Sequence, residues 1–421
     1  MSHPPRPPSS RPPSSWWTQT LSIDLLLTVL QKTILHPFLA WLIPLCLRAQ
    51  ATPYTHPSFI YTTVYASILS LVLLADMLSK RIAYGLPRGM RTVGDRGMGV
   101  DGGGKGDGEG EEDEEDEEEL EENEEEEEVV VVAGGASGLG LLIAETYGMR
   151  GVGVAVLDIK DVGEVEEWEE SHRARYFRCD VGDWAEVERV KERIERELGA
   201  PTILINSIAA PINALPITTL PHPAITRTIH ANLLSYFNTL QLFLPAMLTF
   251  PTGGTIVTLS SVVSYLTPAG LSDYTATKTA ISAVHKTVEA ELRQSGHSGK
   301  VKMLLVETGQ MATPLFEEVE TPNGFFAPVL EPVQVAREIV AAIDGGNGGV
   351  IRLPAYAKLV SWYAVLPVAV QRLARFLSGI DRAVEGGRLE LVPQEKEKER
   401  EKAGSSQKSS VSDMELIEVD Y

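Results

Sequence analysis

Tyr274 and Lys278 stand four residues apart in SDYTATKTAIS, a spacing that puts a phenol and an ammonium on one face of a helix. A free phenol has a pKa near 10 and is a poor base at neutral pH. An adjacent cation stabilises the phenolate and draws that value toward the working range, making the pair a proton donor and acceptor. Thirteen residues before Tyr274, after the apolar run GTIVTLS, comes Ser261, whose hydroxyl can hold a carbonyl or alcohol oxygen beside the phenol. A second cluster is Gly134-Gly135-Ala136-Ser137-Gly138-Leu139-Gly140, directly after VVVVA and opening LGLLIAETYGM. Glycines there let the backbone turn tightly and approach a pyrophosphate at a helix N-terminus, where free N–H groups favour an anion. Asp158 ends the next apolar run, eighteen residues past Gly140. Its carboxylate can accept hydrogen bonds from both ribose hydroxyls of NAD and repels the extra phosphate of NADP. Ser137 occupies a position where a basic residue would favour that phosphate, whereas Lys160, two residues past Asp158, argues the other way. NAD is the expected cofactor and NADP the less favoured one.

These groups need a scaffold that brings distant segments to one edge. VVVVA (129–133), VGVAVLD (152–158), ARYFRC (174–179), TILIN (202–206), GTIVTLS (254–260) and VKMLLV (301–306) read as strands. Most are nearly continuous Val, Ile and Leu, as strands covered on both faces should be. Helical stretches such as WAEVERVKERIERELG (184–199) and AISAVHKTVEAELRQSG (280–296) alternate with them. The rhythm predicts an α/β fold, a doubly wound parallel sheet of Rossmann type.

The rest of the chain differs in composition. Pro57–Ala75 is nineteen residues without a charge, about the length that crosses a bilayer, and Lys80, Arg81, Arg88, Arg91 and Arg96 follow it. That basic excess places the large downstream domain in the cytosol. Leu25–Leu47 is a more interrupted apolar segment, either the other arm of a hairpin or a helix lying in the interface. The apolar material begins too late and runs too long for a cleaved signal peptide. Glu111–Glu128 holds sixteen acids in eighteen positions, which leaves only −5 of the net charge of −21 to everything else. The acidity is therefore local, it argues against nucleic-acid binding, and it reads as a solvated spacer. A protein-binding role for the acid run is the sharper alternative. Cys46 and Cys179 are too few for a disulfide framework or a structural zinc site, and no metal is expected. The expected divisions are a disordered N-terminus (1–20), membrane-anchoring helices (21–79), an acidic low-complexity linker (80–128), an NAD-binding domain (129–355), an apolar helical region (356–388) and a disordered tail (389–421).

Taken with their order in the chain, these motifs make residues 129 to about 355 resemble the short-chain dehydrogenase/reductase family. The glycine turn resembles that family's TGxxxGxG motif, with Ala133 where Thr is usual. The resemblance implies that Asp180 in Cys179-Asp180-Val181 hydrogen-bonds the adenine amino group, with Val181 packing nearby. It implies that Asn232 in HANLLSYFNTL supports a water in a proton relay, completing a tetrad with Ser261, Tyr274 and Lys278. It also places Lys278 on the nicotinamide ribose and Thr313 on the nicotinamide carboxamide. Asn206-Ser207-Ile208-Ala209 departs from the usual NNAG beside the adenine ribose, Thr308-Gly309 from the usual Pro-Gly, and Ala133 lacks a hydroxyl that ties the glycine turn to neighbouring backbone. With its N-terminal segments, the chain is similar to the retinol and hydroxysteroid dehydrogenase branch attached to endoplasmic reticulum and lipid droplets, and a homodimer is an expectation from the same resemblance.

The implied function is a membrane-anchored NAD(H)-dependent oxidoreductase interconverting an alcohol and a ketone or aldehyde on a lipophilic substrate of the retinoid, steroid or long-chain alcohol class. The alternative is a non-catalytic nucleotide-binding membrane scaffold, suggested by the irregular Ser207-Ile208-Ala209 and Thr308. Gly309–Leu330, with Met311, Leu315, Phe316, Phe325 and Phe326, suits either a mobile lid over a greasy substrate or a surface loop anchored by its hydrophobes. Tyr356–Leu377 is apolar enough to cover the site's mouth or to lie on a membrane.

Overall fold

The computed structural model describes residues 22–88, 128–161, 173–317, 319, 321 and 323–384. The expectations for the N-terminus, the acid run before Glu128 and the tail lie outside the described residues.

The apolar runs form seven parallel strands: β1 Val129–Ala133, β2 Gly153–Asp158, β3 Ala174–Arg178, β4 Pro201–Asn206, β5 Gly254–Ser261, β6 Val301–Thr308 and β7 Gly349–Leu353. They lie in the order β3-β2-β1-β4-β5-β6-β7, and Val130 pairs with both Val154 and Ile203. The order reverses between β1 and β4, so the connections leaving them diverge and open a crevice at the strands' carboxyl ends. The edge strand β7 has no counterpart among the predicted strands. GVIRL is short, half-exposed and interrupted by Arg352, so it lacks the apolar continuity that marks the inner strands.

Around the sheet and before it lie α1 Ile23–Lys32, α2 Pro37–Ala49, α3 Pro57–Tyr84, α4 Gly138–Met149, α5 Trp184–Glu197, α6 His222–Ile229, α7 Ser235–Thr249, α8 Ser272–Gln294, α9 Pro332–Asp344, α10 Ala357–Tyr363 and α11 Val368–Ser378. Successive strand residues face opposite sides. Val130 and Val132 pack with Ile143 and Tyr147 of α4 and Ile339 of α9, while Val131 packs with Ile194 of α5, Phe243 of α7 and Ile281 of α8. Helix α5 shows how local sequence sets an element. Asp183 caps its start, accepting from the N–H groups of Ala185 and Glu186 at 2.9 and 3.2 Å, and Val187, Val190 and Ile194 form its one buried stripe.

Among the described residues α3 alone is long and apolar enough to cross a bilayer, by length and composition. Its 28 residues extend about 42 Å at 1.5 Å per residue. The first apolar segment divides in two, with α1 and α2 bent by 47°. Helix α2 packs on α3, where Ala40 and Ala66 are buried and Trp41 Nε1 donates to Ser70 Oγ at 3.0 Å. Helix α1 instead meets the α/β domain: Ile23 N–H donates to the Phe325 carbonyl at 3.0 Å, and Asp24 Oδ1 accepts from Ala355 N–H at 2.7 Å. At the other end of the hairpin, Lys302 Nζ donates to the terminal Tyr84 carbonyl of α3 at 3.1 Å. Arg88 pairs with Glu128 at 2.7 Å, and both are buried. Arg88 therefore fastens α3 to the start of β1 rather than standing as a free cation beside a membrane.

Candidate active site

The crevice at the switch point is a cavity of about 560 Å³. The glycine turn forms one wall, contributing Gly134, Ser137, Gly138 and Leu139. Gly134 has φ +79°, and a Cβ on it would stand 2.8 Å from Ile208 N. A Cβ on Gly140 would come within 2.2 Å of the Gly134 carbonyl oxygen, so Gly140 seats α4 against the turn. The departure at Ser207 has a use. Ser207 N–H donates to the Ala133 carbonyl at 2.9 Å and Ser207 Oγ to the Gly134 carbonyl at 3.2 Å, which supplies from β4 a hydroxyl tether that Ala133 cannot.

Asp158, Asp180 and Val181 also line this cavity. The Asp158 carboxylate accepts from Ala136 N–H at 3.1 Å and Ile159 N–H at 2.8 Å, so the turn and the acid fix one another. Lys160, Arg227 and His230 also line the cavity; Arg227 and His230 were not among the predicted site residues. The available signal was position alone, since His230 lies two residues before Asn232. Asn206 is placed differently from expectation. It does not line the cleft but accepts from Thr239 Oγ1 at 2.8 Å and borders a buried void of about 10 Å³ with Asn232 and Thr258.

Tyr274 and Lys278 come together in the first two turns of α8, each 3% exposed. Asp273 anchors this end of the helix, accepting from Asn213 Nδ2 at 2.6 Å and Thr228 Oγ1 at 2.9 Å. Lys278 Nζ lies 5.6 Å from the Tyr274 ring centre and donates to the Leu259 carbonyl at 3.0 Å. Asn232 sits in a single π turn, His230–Leu234. Its Oδ1 accepts from Ala210 N–H at 2.7 Å, and its Nδ2 donates to Thr277 Oγ1 at 3.0 Å, which in turn donates to the Tyr274 carbonyl at 2.8 Å. Ser261 Oγ donates to the Thr308 carbonyl at 3.1 Å, so it must rotate to reach a substrate oxygen.

One electrostatic expectation is corrected. The protein alone does not lower the Tyr274 pKa. Burial pushes that phenol up, and burial pushes Lys278 down to about 8. Desolvation outweighs the cation because the ammonium is turned to a backbone carbonyl and is itself weakened by leaving water. The resting phenol is therefore protonated, the state a proton donor needs.

The other face of Tyr274 borders a second cavity of about 530 Å³. Ser261 and Gly309 are at its inner end, and apolar groups from distant segments close it, including Leu271, Phe316, Leu359 and Leu377. The segment expected to be a lid contributes Phe316, Phe326 and Ala327. A Met311–Leu330 bridge joins its two ends, Asn323 Oδ1 shapes its tip by accepting from Phe325 and Phe326 N–H at 3.0 and 3.2 Å, and the Phe325 carbonyl ties it to α1 through Ile23 N–H.

The first cavity fits a nicotinamide dinucleotide. Glycines leave room for a pyrophosphate, the carboxylates of Asp158 and Asp180 stand in the wall as acceptors, and Thr313 Oγ1 is buried in the wall without a hydrogen-bond partner. The model of the short chain dehydrogenase family matches residues 128–324. An uncharacterized oxidoreductase of Saccharomyces cerevisiae is 30% identical over 251 residues, 59% of this chain and 80% of the relative. Short-chain dehydrogenase/reductase 3 of Homo sapiens is 30% identical over 252 residues, 58% of this chain and 81% of that protein. Retinol dehydrogenase 10 of Homo sapiens is 30% identical over 172 residues, 40% of this chain and 49% of that protein.

Proposed function

Because the chain belongs to the short-chain dehydrogenase/reductase family, as an oxidoreductase acting on CH–OH groups with a nicotinamide nucleotide, we propose that it is membrane-anchored, uses NAD(H), and interconverts an alcohol and a ketone or aldehyde on a lipophilic substrate. The observation that carries this reading is that Tyr274 lines both cavities, one holding the glycine turn with Asp158, Asp180 and Lys278, the other walled mostly by apolar side chains. A proton held there can pass to or from an oxygen in the second cavity.

Tyr274 is the general acid in reduction and the general base in oxidation. Ser261 turns from the Thr308 carbonyl to orient the substrate oxygen. Lys278, Thr313 and the glycine turn hold the dinucleotide, with Asp158 on the ribose hydroxyls favouring NAD over NADP. Asn232 maintains the relay path beneath Tyr274. A bound nicotinamide supplies the hydride. The size and apolar lining of the second cavity support a retinoid, steroid or long-chain alcohol. Membrane attachment is supported by α3 and by the apolar surface of α10, α11 and the turn between them, where Trp362, Val365 and Phe376 are exposed. Endoplasmic reticulum or lipid droplet is the compartment the branch resemblance implies, and Lys80 and Arg81, which follow the uncharged Pro57–Ala75, favour a cytosolic α/β domain.

The test is turnover by the full chain in detergent and in liposomes, with NAD or NADP and a panel of retinol, hydroxysteroids and fatty alcohols, read as reduced nicotinamide absorbance. Turnover of at least one lipophilic alcohol, faster with NAD and lost in Tyr274→Phe, is expected. Nucleotide binding without turnover, unchanged in Tyr274→Phe, would establish the scaffold instead.

A further inference from the structure

Where α6 ends, the π turn His230–Leu234 aims the His230 side chain into the nucleotide cleft. Its Nε2 lies 3.2 Å from Oδ1 and 3.1 Å from Oδ2 of Asp180. Gly182 N–H donates to the same Oδ1 at 2.9 Å, and the Asp180 N–H donates to Glu186 Oε2 at 2.8 Å. Both the carboxylate and its backbone are thus held before any ligand arrives. The imidazole fits only because residue 182 has no side chain: a Cβ there would stand 2.3 Å from His230 Nε2. Asp180, Gly182 and His230 all line the cleft, and the Asp180 side chain remains 46% exposed. A carboxylate offers about four acceptor directions, so those left by Gly182 and His230 remain for a ligand.

We propose that His230 is a base-positioning residue of the cofactor site, holding Asp180 so that its free lone pairs meet the exocyclic amino group of adenine. This rests on the reading of Asp180 as the adenine contact. A carboxylate can only accept, so it favours an amino group and opposes a carbonyl oxygen in the same place. That discrimination requires a fixed carboxylate. Removing the imidazole leaves only the Gly182 N–H on one oxygen, and the group turns about its broad terminal torsion. The π turn also carries Asn232, so the base pocket and the proton relay share one local distortion, a device frequent at functional sites.

The test is calorimetric titration of the full chain with NAD and with nicotinamide hypoxanthine dinucleotide, which carries a carbonyl where adenine has its amino group. The protein should prefer NAD by about tenfold, the factor one charge-assisted hydrogen bond supplies. His230→Leu should reduce the preference to about twofold or less, whereas His230→Gln, which keeps an N–H donor, should retain most of it. Gly182→Ala, which pushes the imidazole off Asp180, provides a second variant and should act like His230→Leu. An unchanged preference in both His230→Leu and Gly182→Ala, with Asp180→Asn abolishing it, overturns the role of His230 while keeping that of Asp180. No preference in the parent protein, or none lost in Asp180→Asn, overturns the adenine reading and the proposal together.

Discussion

The two cavities that meet at Tyr274 are built by opposite rules. The nucleotide cleft is built at the carboxyl ends of adjacent parallel strands, where the glycine turn, Asp158, Asp180 and Lys278 stand among apolar groups such as Leu139, Ile208 and Met311. The apolar cavity is made of side chains from segments more than a hundred residues apart, with Leu271 on one wall and Leu377 on another. The first is rigid because the sheet is rigid. The second is closed by α11, a helix with no buried residue of its own. Cofactor recognition is thus fixed by the fold, while substrate recognition sits on elements the fold holds lightly. Changes on the two sides should separate cleanly in kinetics.

The largest effect is expected at Tyr274, which with Phe316 lines both cavities. Tyr274→Phe removes the proton donor while leaving the ring in both walls, and kcat should fall about a thousandfold, within the span of a positioned acid. Nucleotide affinity should stay within about threefold, because the phenyl ring preserves the packing that the phenol gave the cleft wall. Retention of a tenth or more of the parent kcat would mean that the two cavities do not exchange a proton through this group.

The next effect concerns the cleft alone. Lys278 is buried with a pKa near 8, against about 10.5 in an unfolded chain. Between those values the unfolded state binds the extra proton, so the contribution of this residue to stability rises with pH from about 8 to about 10.5 and is unfavourable below 8. Lys278→Met should remove that penalty. It should abolish most turnover and yet stabilise the protein by roughly 2 kcal/mol at pH 7, with the gain shrinking as pH rises through 10. Urea unfolding at pH 7 and pH 10 measures it, and a variant less stable than the parent at pH 7 would show that the ammonium is well solvated.

The same contrast explains what was legible in the sequence. The strands around the cleft, the glycine turn, Asp158 and the Tyr274–Lys278 pair follow from local composition and short spacing, and all are where those patterns put them. The edge strand β7 was missed because Gly349–Leu353 is half-exposed and carries Arg352, whose partner Glu307 lies 2.7 Å away on β6. The lowered phenol pKa was misjudged because spacing gives adjacency but not the direction of an ammonium or the loss of water around it. The Ser207 tether was invisible for a related reason: its acceptor, the Gly134 carbonyl, is 73 residues away. The apolar cavity was legible in part: Gly309–Leu330 and Tyr356–Leu377 were expected over the site and both line it, but no short pattern announces that Val263, Leu266 and Leu271 close the same space.

On the apolar side, Leu377→Glu should raise KM for a long-chain alcohol by about tenfold. It takes an apolar side chain out of the cavity wall and sets a charge where the alkyl chain would lie, and the affinity for NAD should not move. An equal loss of NAD affinity would show that the cavities are one site.

The smallest effect sharpens the contrast most. Arg375 fixes α11 by donating from its guanidinium to the Leu266 and Thr267 carbonyls and by pairing with Asp381. These contacts reach the one-turn helix Val263–Leu266 and Thr267, whose φ of +43° turns the chain at the rim of the cavity. Because the arginine is partly exposed, each contact is weak, on the order of 1 kcal/mol or less. Arg375→Gln should therefore loosen α11 without unfolding the domain. In detergent, KM for a long-chain alcohol should rise about threefold with kcat and NAD affinity unchanged. In liposomes the rise should be under about twofold, because the exposed Leu373 and Phe376 of α11 gain a second support from the acyl phase. Equal effects in the two media would mean that α11 is held by the protein alone and that the apolar cavity opens to water rather than to lipid.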